Sequence, residues 1–356
     1  MKKKSLSVKK IKPKNLNFNK ILKDKKILEI YKIFEKNFKN LNYSNKIAIS
    51  VSGGPDSMAL CFLLSCFKYK KDKNIKLFFY LVDHGLRAES YKEAQLVKQH
   101  LNIQNIHLKI LKWIGKKPMS NIQSLARQKR YGLIFSKCIE TNVKNIVTAH
   151  HQDDLYETFF SRLLRGSGTE GLSSFFENEK QFVYKGKRLK IIRPLLSLNK
   201  EKLIYISKEV FNFYLEDPSN EMEKFQRVKI RKLIYSLKRN GLDFKKLQLT
   251  LKNLSSTNKA INNIVDNNIT ENVFYIKNKY LINSNFFSLS DEIVFRSLSK
   301  LIKNISQRNY PPRGKKIMNL INEFAKKDHF KATLGGTIIE KIHKSVVVTQ
   351  EKTKKR

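Results

Sequence analysis

Between two apolar runs, residues 47–51 (IAISV) and 58–67 (MALCFLLSCF), the chain places six residues of a quite different kind: Ser52, Gly53, Gly54, Pro55, Asp56 and Ser57. The first run is short and β-branched, as a strand buried on both faces should be. The second is long enough for a helix lying against a sheet. The turn between them predicts a strand–turn–helix unit, and the pattern repeats. Strands are expected over 75–82, 106–113 and 145–149, and helices over 90–101, 120–140 and from 150 to about 164, with a stop at Gly166. This alternation predicts an α/β fold with a parallel sheet wound on both faces.

At the start of a helix that follows a strand, unpaired backbone N–H groups and the helix dipole form an anion site suited to phosphate. Gly53 and Gly54 let the backbone approach such a ligand, and Pro55 has the φ of a first helical turn. Ser52 and Ser57 carry hydroxyls that can donate to phosphate oxygens, and Asp56 either caps the helix or holds Mg2+. The segment is neither GxGxxG nor GxxxxGK[ST], which argues against the ordinary dinucleotide and Walker sites. In open parallel sheets the carboxyl ends of the strands line the ligand crevice. VDHGLR at 82–87 and TAHHQDDLYET at 148–158 should therefore converge on the turn. On a helix opened by His150, positions 150, 153, 154 and 157 share a face, joining an imidazole to the carboxylates of Asp153, Asp154 and Glu157. Carboxylates beside phosphates suit Mg2+. The two histidines have no HExxH spacing and no nearby cysteine, so zinc is the weaker reading.

Lys plus Arg total 72 against 30 Asp plus Glu, a net charge of +42 over 356 residues. That excess points to a polyanionic partner, with RNA or DNA ahead of a membrane surface. With 41% hydrophobic residues the chain can bury a core, which excludes a wholly disordered basic tail. The expected organisation is a basic N-terminal extension over 1–44, the α/β domain over 45–220, a mainly helical domain over 221–330, and a small C-terminal strand segment with a basic tail over 331–356. The boundary near 220 rests on the turn formers Glu216-Asp217-Pro218-Ser219-Asn220. Beyond it, helices are expected over 224–236, 244–265 and 291–304, a hairpin over 273–282, and strands around Gly335-Gly336. Cys61, Cys66 and Cys138 have neither disulfide-framework nor zinc spacing. No apolar run is long enough to cross a bilayer, and the basic opening segment has no apolar signal core, so a cytoplasmic protein without a membrane partner is expected.

SGGPDS resembles the pyrophosphate-binding SGGxDS motif of the PP-loop ATP pyrophosphatases, Rossmann-like enzymes that split ATP into AMP and pyrophosphate to adenylate a carbonyl oxygen. Within that group, the chain resembles the bacterial tRNA(Ile)-lysidine synthetases. The likeness is carried by SGGPDS, VDHGLR, LARQKRY (125–131), TAHHQDDLYET, LLRGSGTEGL (163–172), IIRPLL (191–196) and EDPSN. It covers residues 45–231 and weakens near its end, where Val228 stands at the family's usual asparagine.

The resemblance implies ligation of free L-lysine to C2 of the wobble cytidine in the CAU anticodon of tRNA(Ile), with ATP and Mg2+ as cofactors and no stable protein partner. It makes 52–57 the pyrophosphate site and gives Asp56 and Asp154 to Mg2+ or phosphate positioning. Attack by lysine needs a neutral amine, and the base is His150 or Asp153. Arg127 orients the nucleotide or α-phosphate, or forms a surface ion pair. Arg165, Gly166, Ser167 and Gly168 shape a substrate loop, with Arg162 and Arg165 equally suited to complementing the helix dipole. A PP-loop thiolation enzyme would need sulfur-carrying cysteines at other spacings, and an amidotransferase relative would need a glutamine-hydrolysing module. A non-enzymatic RNA-binding protein would predict decayed turn and histidine–aspartate motifs, which are intact here.

Overall fold

The computed structural model describes residues 16–115, 120, 122–173, 175–216, 226–277, 279–308 and 311–351. The chain forms two compact units, 1–251 and 252–356. The first is built from α1 (Phe18–Ile21), α2 (Lys25–Lys39), β1 (Lys46–Val51), α3 (Pro55–Lys70), β2 (Lys76–Asp83), α4 (Ser90–Ile103), β3 (Leu108–Lys112), α5 (Ile122–Glu140), β4 (Asn145–Val147), α6 (Gln152–Leu163), α7 (Thr169–Ser173), β5 (Glu179–Tyr184), β6 (Lys187–Ile192), α8 (Lys200–Phe211) and α9 (Gln226–Arg239). A long helix, α10 (Phe244–Asn272), begins in this unit.

The sheet has the order β3-β2-β1-β4-β6-β5. All neighbours are parallel except the edge strand β5, which is antiparallel to β6. This is the expected parallel α/β fold, with an added edge that the sequence reading did not foresee. The chain leaves β1 toward β2 and β3, then returns to place β4 on the other side of β1. The ends of β1 and β4 therefore border the point where strand order reverses, the usual ligand crevice of such sheets.

α3 is apolar around most of its circumference because it is enclosed: Met58 to Leu64, Cys66 and Phe67 are all buried. One of its covers is α2. Asp24 caps that helix by accepting from the N–H groups of Lys26 and Ile27 at 2.8 and 3.0 Å. Its buried Ile27, Ile30, Tyr31, Phe34 and Phe38 join the main core, with Phe38 edge-on to Phe67 at 5.0 Å between ring centroids. The segment read as a basic extension over 1–44 thus supplies a core helix, with a charged face outward; residues 1–15 lie outside the described residues.

The division between units also falls elsewhere than the expected boundary at 220. Asp217 to Asn220 lie outside the described residues, and the first unit continues through α9. Ile230, Leu247 and Leu251 pack there with Leu155, Tyr156 and Phe160 of α6.

The second unit contains β7 (Val273–Ile276), β8 (Lys279–Ile282), α11 (Asp291–Ser306), α12 (Gly314–Lys326), β9 (His329–Leu334), β10 (Thr337–Ile342) and β11 (Ser345–Gln350). Its sheet is antiparallel with order β7-β8-β11-β10-β9. The expected hairpin β7–β8 and the strands around Gly335-Gly336 thus belong to one sheet, on which α11 and α12 bury Leu298, Ile302, Ile317 and Phe324.

Candidate active site

The turn after β1 closes on itself. Ser57 Oγ accepts from the N–H groups of Ser52 and Gly53, both at 3.1 Å, and donates to the carbonyl of Gly54 at 3.0 Å. Ser57 is buried, so its hydroxyl holds the turn in shape from within, a different task from the phosphate contact expected of it. Gly53 has φ +84°, and a Cβ there would lie 2.6 Å from Val97 Cγ2 and 2.8 Å from Leu215 Cδ1. Both the backbone angle and the space require glycine. Gly54 is the N-cap of α3, Pro55 opens the helix, and the Pro55 carbonyl accepts from Ser207 Oγ at 2.6 Å. Asp56 follows in the first turn.

Across the strand-order reversal, β4 ends and α6 begins. The helix starts at Gln152 with His151 as N-cap, two residues later than the sequence pattern suggested. This displacement exchanges the roles of the two histidines. It is His151, not His150, that meets the carboxylates. His151 Nε2 lies 3.5 Å from Asp56 Oδ2 and 3.5 Å from Asp154 Oδ2, and Nδ1 lies 3.3 Å from Asp153 Oδ2 without the alignment of a hydrogen bond. Burial opposes charge on this ring, but the surrounding carboxylates outweigh it, and His151 is raised to about 10. Its cation bridges the glycine turn to α6.

The carboxylates also have structural partners. Asp154 accepts from the His151 N–H at 3.2 Å, capping α6. Asp153 accepts from the Lys200 N–H at 2.8 Å at the start of α8. Burial would raise the Asp153 carboxyl, but His151 and the Lys200 N–H hold it below its ordinary range. Asp56 Oδ1 is buried without a hydrogen-bond partner. One turn along α6, buried Glu157 accepts from Arg231 Nε of α9 at 2.5 Å, while its Oε2 lacks a partner. Glu157 was visible as a face-sharing acid. Arg231 was legible only as part of Lys229-Ile230-Arg231, because nothing in the sequence shows that α9 folds back onto α6. Val228 is buried on the same helix.

His150 points elsewhere. Its Nδ1 is 2.8 Å from Thr148 Oγ1, and its ring stands edge-on to Phe175 at 5.3 Å. Burial, with the charges of Arg127, Arg193 and Arg130, holds it well below the ordinary imidazole range. Arg127 is exposed on α5, with its guanidinium 5.1 Å from the Tyr131 ring centroid. Arg165, just past the end of α6, bonds back to Ser161 of that helix, through Nε to the carbonyl at 2.9 Å. Gly166, with φ +68°, and Gly168 have open space where a Cβ would stand, and the Ser167 N–H donates to the Arg162 carbonyl at 3.0 Å. Among the described residues this loop is tied to α6 and forms no hydrogen bond or ion pair with Asp56 or His151.

Among the described residues, no three His, Cys, Asp or Glu side chains are grouped to hold a metal by themselves. Two carboxylates completed by water and substrate phosphates is instead the habit of Mg2+. The unpartnered, buried Asp56 Oδ1, close to Asp154 through their shared His151, fits that role. The cysteines are free and buried; burial pushes the Cys66 and Cys138 thiols up to about 12 and that of Cys61 further. None is set up as a sulfur carrier. No helix among the described residues is long and apolar enough to cross a membrane.

Comparison with known proteins places the chain in a family. A PP-loop domain family model matches residues 25–237. The tRNA(Ile)-lysidine synthase of Wolbachia sp. subsp. Brugia malayi is 32% identical over 327 residues, 88% of this chain and 72% of that protein. The tRNA(Ile)-lysidine synthase of Orientia tsutsugamushi is 31% identical over 86% of this chain and 70% of that protein. Among solved structures, the U34-tRNA thiolase NcsA from Methanococcus maripaludis shares the fold, with a TM-score of 0.55 at 18% identity over 66% of this chain and 81% of that one. The chain therefore belongs to the tRNA(Ile)-lysidine synthase family of PP-loop proteins, and it is a ligase that uses ATP to modify tRNA.

Proposed function

We propose that this enzyme joins free L-lysine to C2 of the wobble cytidine in the CAU anticodon of tRNA(Ile), releasing AMP and pyrophosphate. The observation that carries this reading is the extent of similarity: 32% identity across 88% of the chain to a protein named tRNA(Ile)-lysidine synthase, well beyond the glycine turn that many PP-loop proteins share. The reaction has two steps. The cytidine O2 attacks the α-phosphorus of ATP and the bond to pyrophosphate breaks. The lysine ε-nitrogen then attacks C2, the C–O bond to AMP breaks, and the ammonium proton is lost.

Ser52, Gly53, Gly54 and Pro55 receive the pyrophosphate, with Ser57 holding the turn in shape. Asp56 and Asp154 would hold Mg2+, which supplies positive charge for the phosphates. His151 keeps these two carboxylates in place and offsets their repulsion. Arg127 approaches the nucleotide from α5, and the loop of Arg165, Gly166, Ser167 and Gly168 borders the incoming substrate. A lysine amine has a reference pKa of about 10.4, so a base is needed to hold it neutral. Asp153 is already engaged by Lys200 N–H and His151, which leaves His150 as the base. The basic surface, including the second unit, grips the tRNA through phosphates, which position without specifying.

The test is incorporation of radiolabelled lysine into a tRNA(Ile) transcript with a CAU anticodon, in the presence of ATP and Mg2+, beside a transcript with uridine at the wobble position. Labelling of the first alone, with AMP and pyrophosphate released in equal amounts, is expected. AMP and pyrophosphate without labelling would move the search to another nucleophile and overturn the lysine assignment.

A further inference from the structure

Arg193, in the IIRPLL segment just after β6, is a buried charge without a counter-ion. It is 7% exposed, and it forms no ion pair among the described residues. Its NH1 donates to the Glu177 carbonyl at 3.0 Å, its guanidinium lies 4.7 Å from the Phe175 ring centroid, and its Nε is buried with no partner. A guanidinium taken out of water and left with one backbone acceptor and an aromatic face is costly unless something anionic completes it. The protein does not complete it. Burial and the neighbouring charges of Arg127 and Arg162 disfavour its charge, against which Tyr131 and the Glu177 carboxylate act at longer range. Arg127, Arg193 and Arg130 also act together on His150. Arg127 and Arg130 set their guanidinium groups beside one ring, that of Tyr131, at 5.1 and 5.6 Å, and Arg193 follows the carboxyl end of β6, the edge of the sheet that carries the glycine turn.

We infer that Arg193, with Arg127 and Arg130, forms a second oxyanion subsite, distinct from residues 52–57, that takes a phosphate-ester group of a substrate. Guanidinium groups suit this because their planar forks match two phosphate oxygens at once. Phosphate esters reach this enzyme from two sources, the backbone of the tRNA beside the modified nucleotide and the α-phosphate of ATP. The inference rests on the proposed lysidine reaction, and lysine incorporation by the unaltered enzyme in the same assay checks that reaction separately.

The experiment compares the full-length enzyme with Arg193→Gln and Arg193→Lys. It measures the tRNA Kd across a salt series, together with kcat and KM for AMP release at varied ATP. If the subsite takes a tRNA phosphate, Arg193→Gln raises the tRNA Kd about ten-fold or more. It also lowers the slope of log K against log salt by about 0.7–0.9, leaving KM for ATP unchanged. If it takes the α-phosphate, AMP release slows about ten-fold or more while tRNA affinity stays within about two-fold. Arg193→Lys keeps the salt slope but loses the two-pronged contact, so it shows a smaller loss in the same parameter. A merely structural arginine would not change the salt slope, and Arg193→Lys would not restore it. Should Arg193→Gln fail to fold, as read from Trp113 fluorescence, Arg193→Lys decides alone. Values within about two-fold of the unaltered enzyme in both measurements, for whichever folded variant is scored, overturn the subsite.

Discussion

His151→Gln is expected to cost the first unit about 4 kcal/mol at pH 7 but only about 1 kcal/mol at pH 9. An imidazole raised from its ordinary 6.5 to about 10 stabilises the fold only while it is charged. Its contribution is complete below 6.5, where the unfolded chain also binds the proton, and drains away as pH rises through about 10. At about 1.4 kcal/mol per pKa unit the full contribution is about 5 kcal/mol. That agrees with the cost of about 3–5 kcal/mol for removing one partner of a buried ion pair. Asp153 runs the other way: its lowered carboxyl contributes above its unfolded value and loses that contribution in acid, outside this window. The single tryptophan, Trp113, is buried just beyond β3 in the same unit, so urea unfolding followed by its fluorescence reads this unit. The stability gap between the unaltered chain and His151→Gln is measured at pH 7 and at pH 9. A gap that stays constant or widens would refute a cationic His151 held by its three carboxylates.

Gly53→Ala is expected to destabilise by about 2–4 kcal/mol, combining a left-handed backbone cost with an overpacked Cβ. Part of this should return in Gly53→Ala/Val97→Ala, and thermal melts of both variants check it. Asp56→Ala should abolish AMP formation while tRNA binding stays within a few-fold; unchanged turnover would remove Asp56 from the mechanism. Arg231→Met leaves the buried Glu157 carboxylate unpaired and should cost about 3–5 kcal/mol in urea unfolding. Glu157→Gln/Arg231→Met should recover most of that loss, and a double variant as unstable as the single one would show that the pair is not what α9 and α6 share.

The sheet was legible because its signal is local. Each strand is a short apolar run closed by a turn, and residues 52–57 announce the unit around which the rest is ordered. The edge strand β5 was not legible: its burial alternates only weakly, and it opens on the polar residues Glu179, Lys180 and Gln181. α2 was hidden by composition, since Ile27, Ile30, Tyr31, Phe34 and Phe38 are embedded among lysines that dominate any charge count. α12 carried a clear repeat, Ile317, Leu320 and Phe324, that went unread. Within the site, residue types and neighbourhood were readable but orientation was not. Whether α6 starts at residue 150 or 152 differs by little in propensity, yet it decides which histidine faces the acids.

That choice has a chemical consequence. At one strand end, two consecutive histidines face opposite environments: His151 is charged among Asp56, Asp153 and Asp154, and His150 is uncharged near Arg127, Arg130 and Arg193. Successive residues in extended backbone point to opposite sides, and His151 is still extended, with φ −122° and ψ −177°, before α6 begins. A single extended step thus separates an acidic side from a cationic one across a few ångströms of backbone. On the proposed reaction the two sides sort the reactants, because an ammonium group is drawn to the acids and phosphate esters to the arginines. His150, on the cationic side, is the assigned acceptor of the amine proton that must leave before nitrogen can attack. Exchanging the two environments, by starting the helix at residue 150 in place of 152, would leave every motif in the sequence intact and bring His150 among the carboxylates, charged and unable to accept that proton.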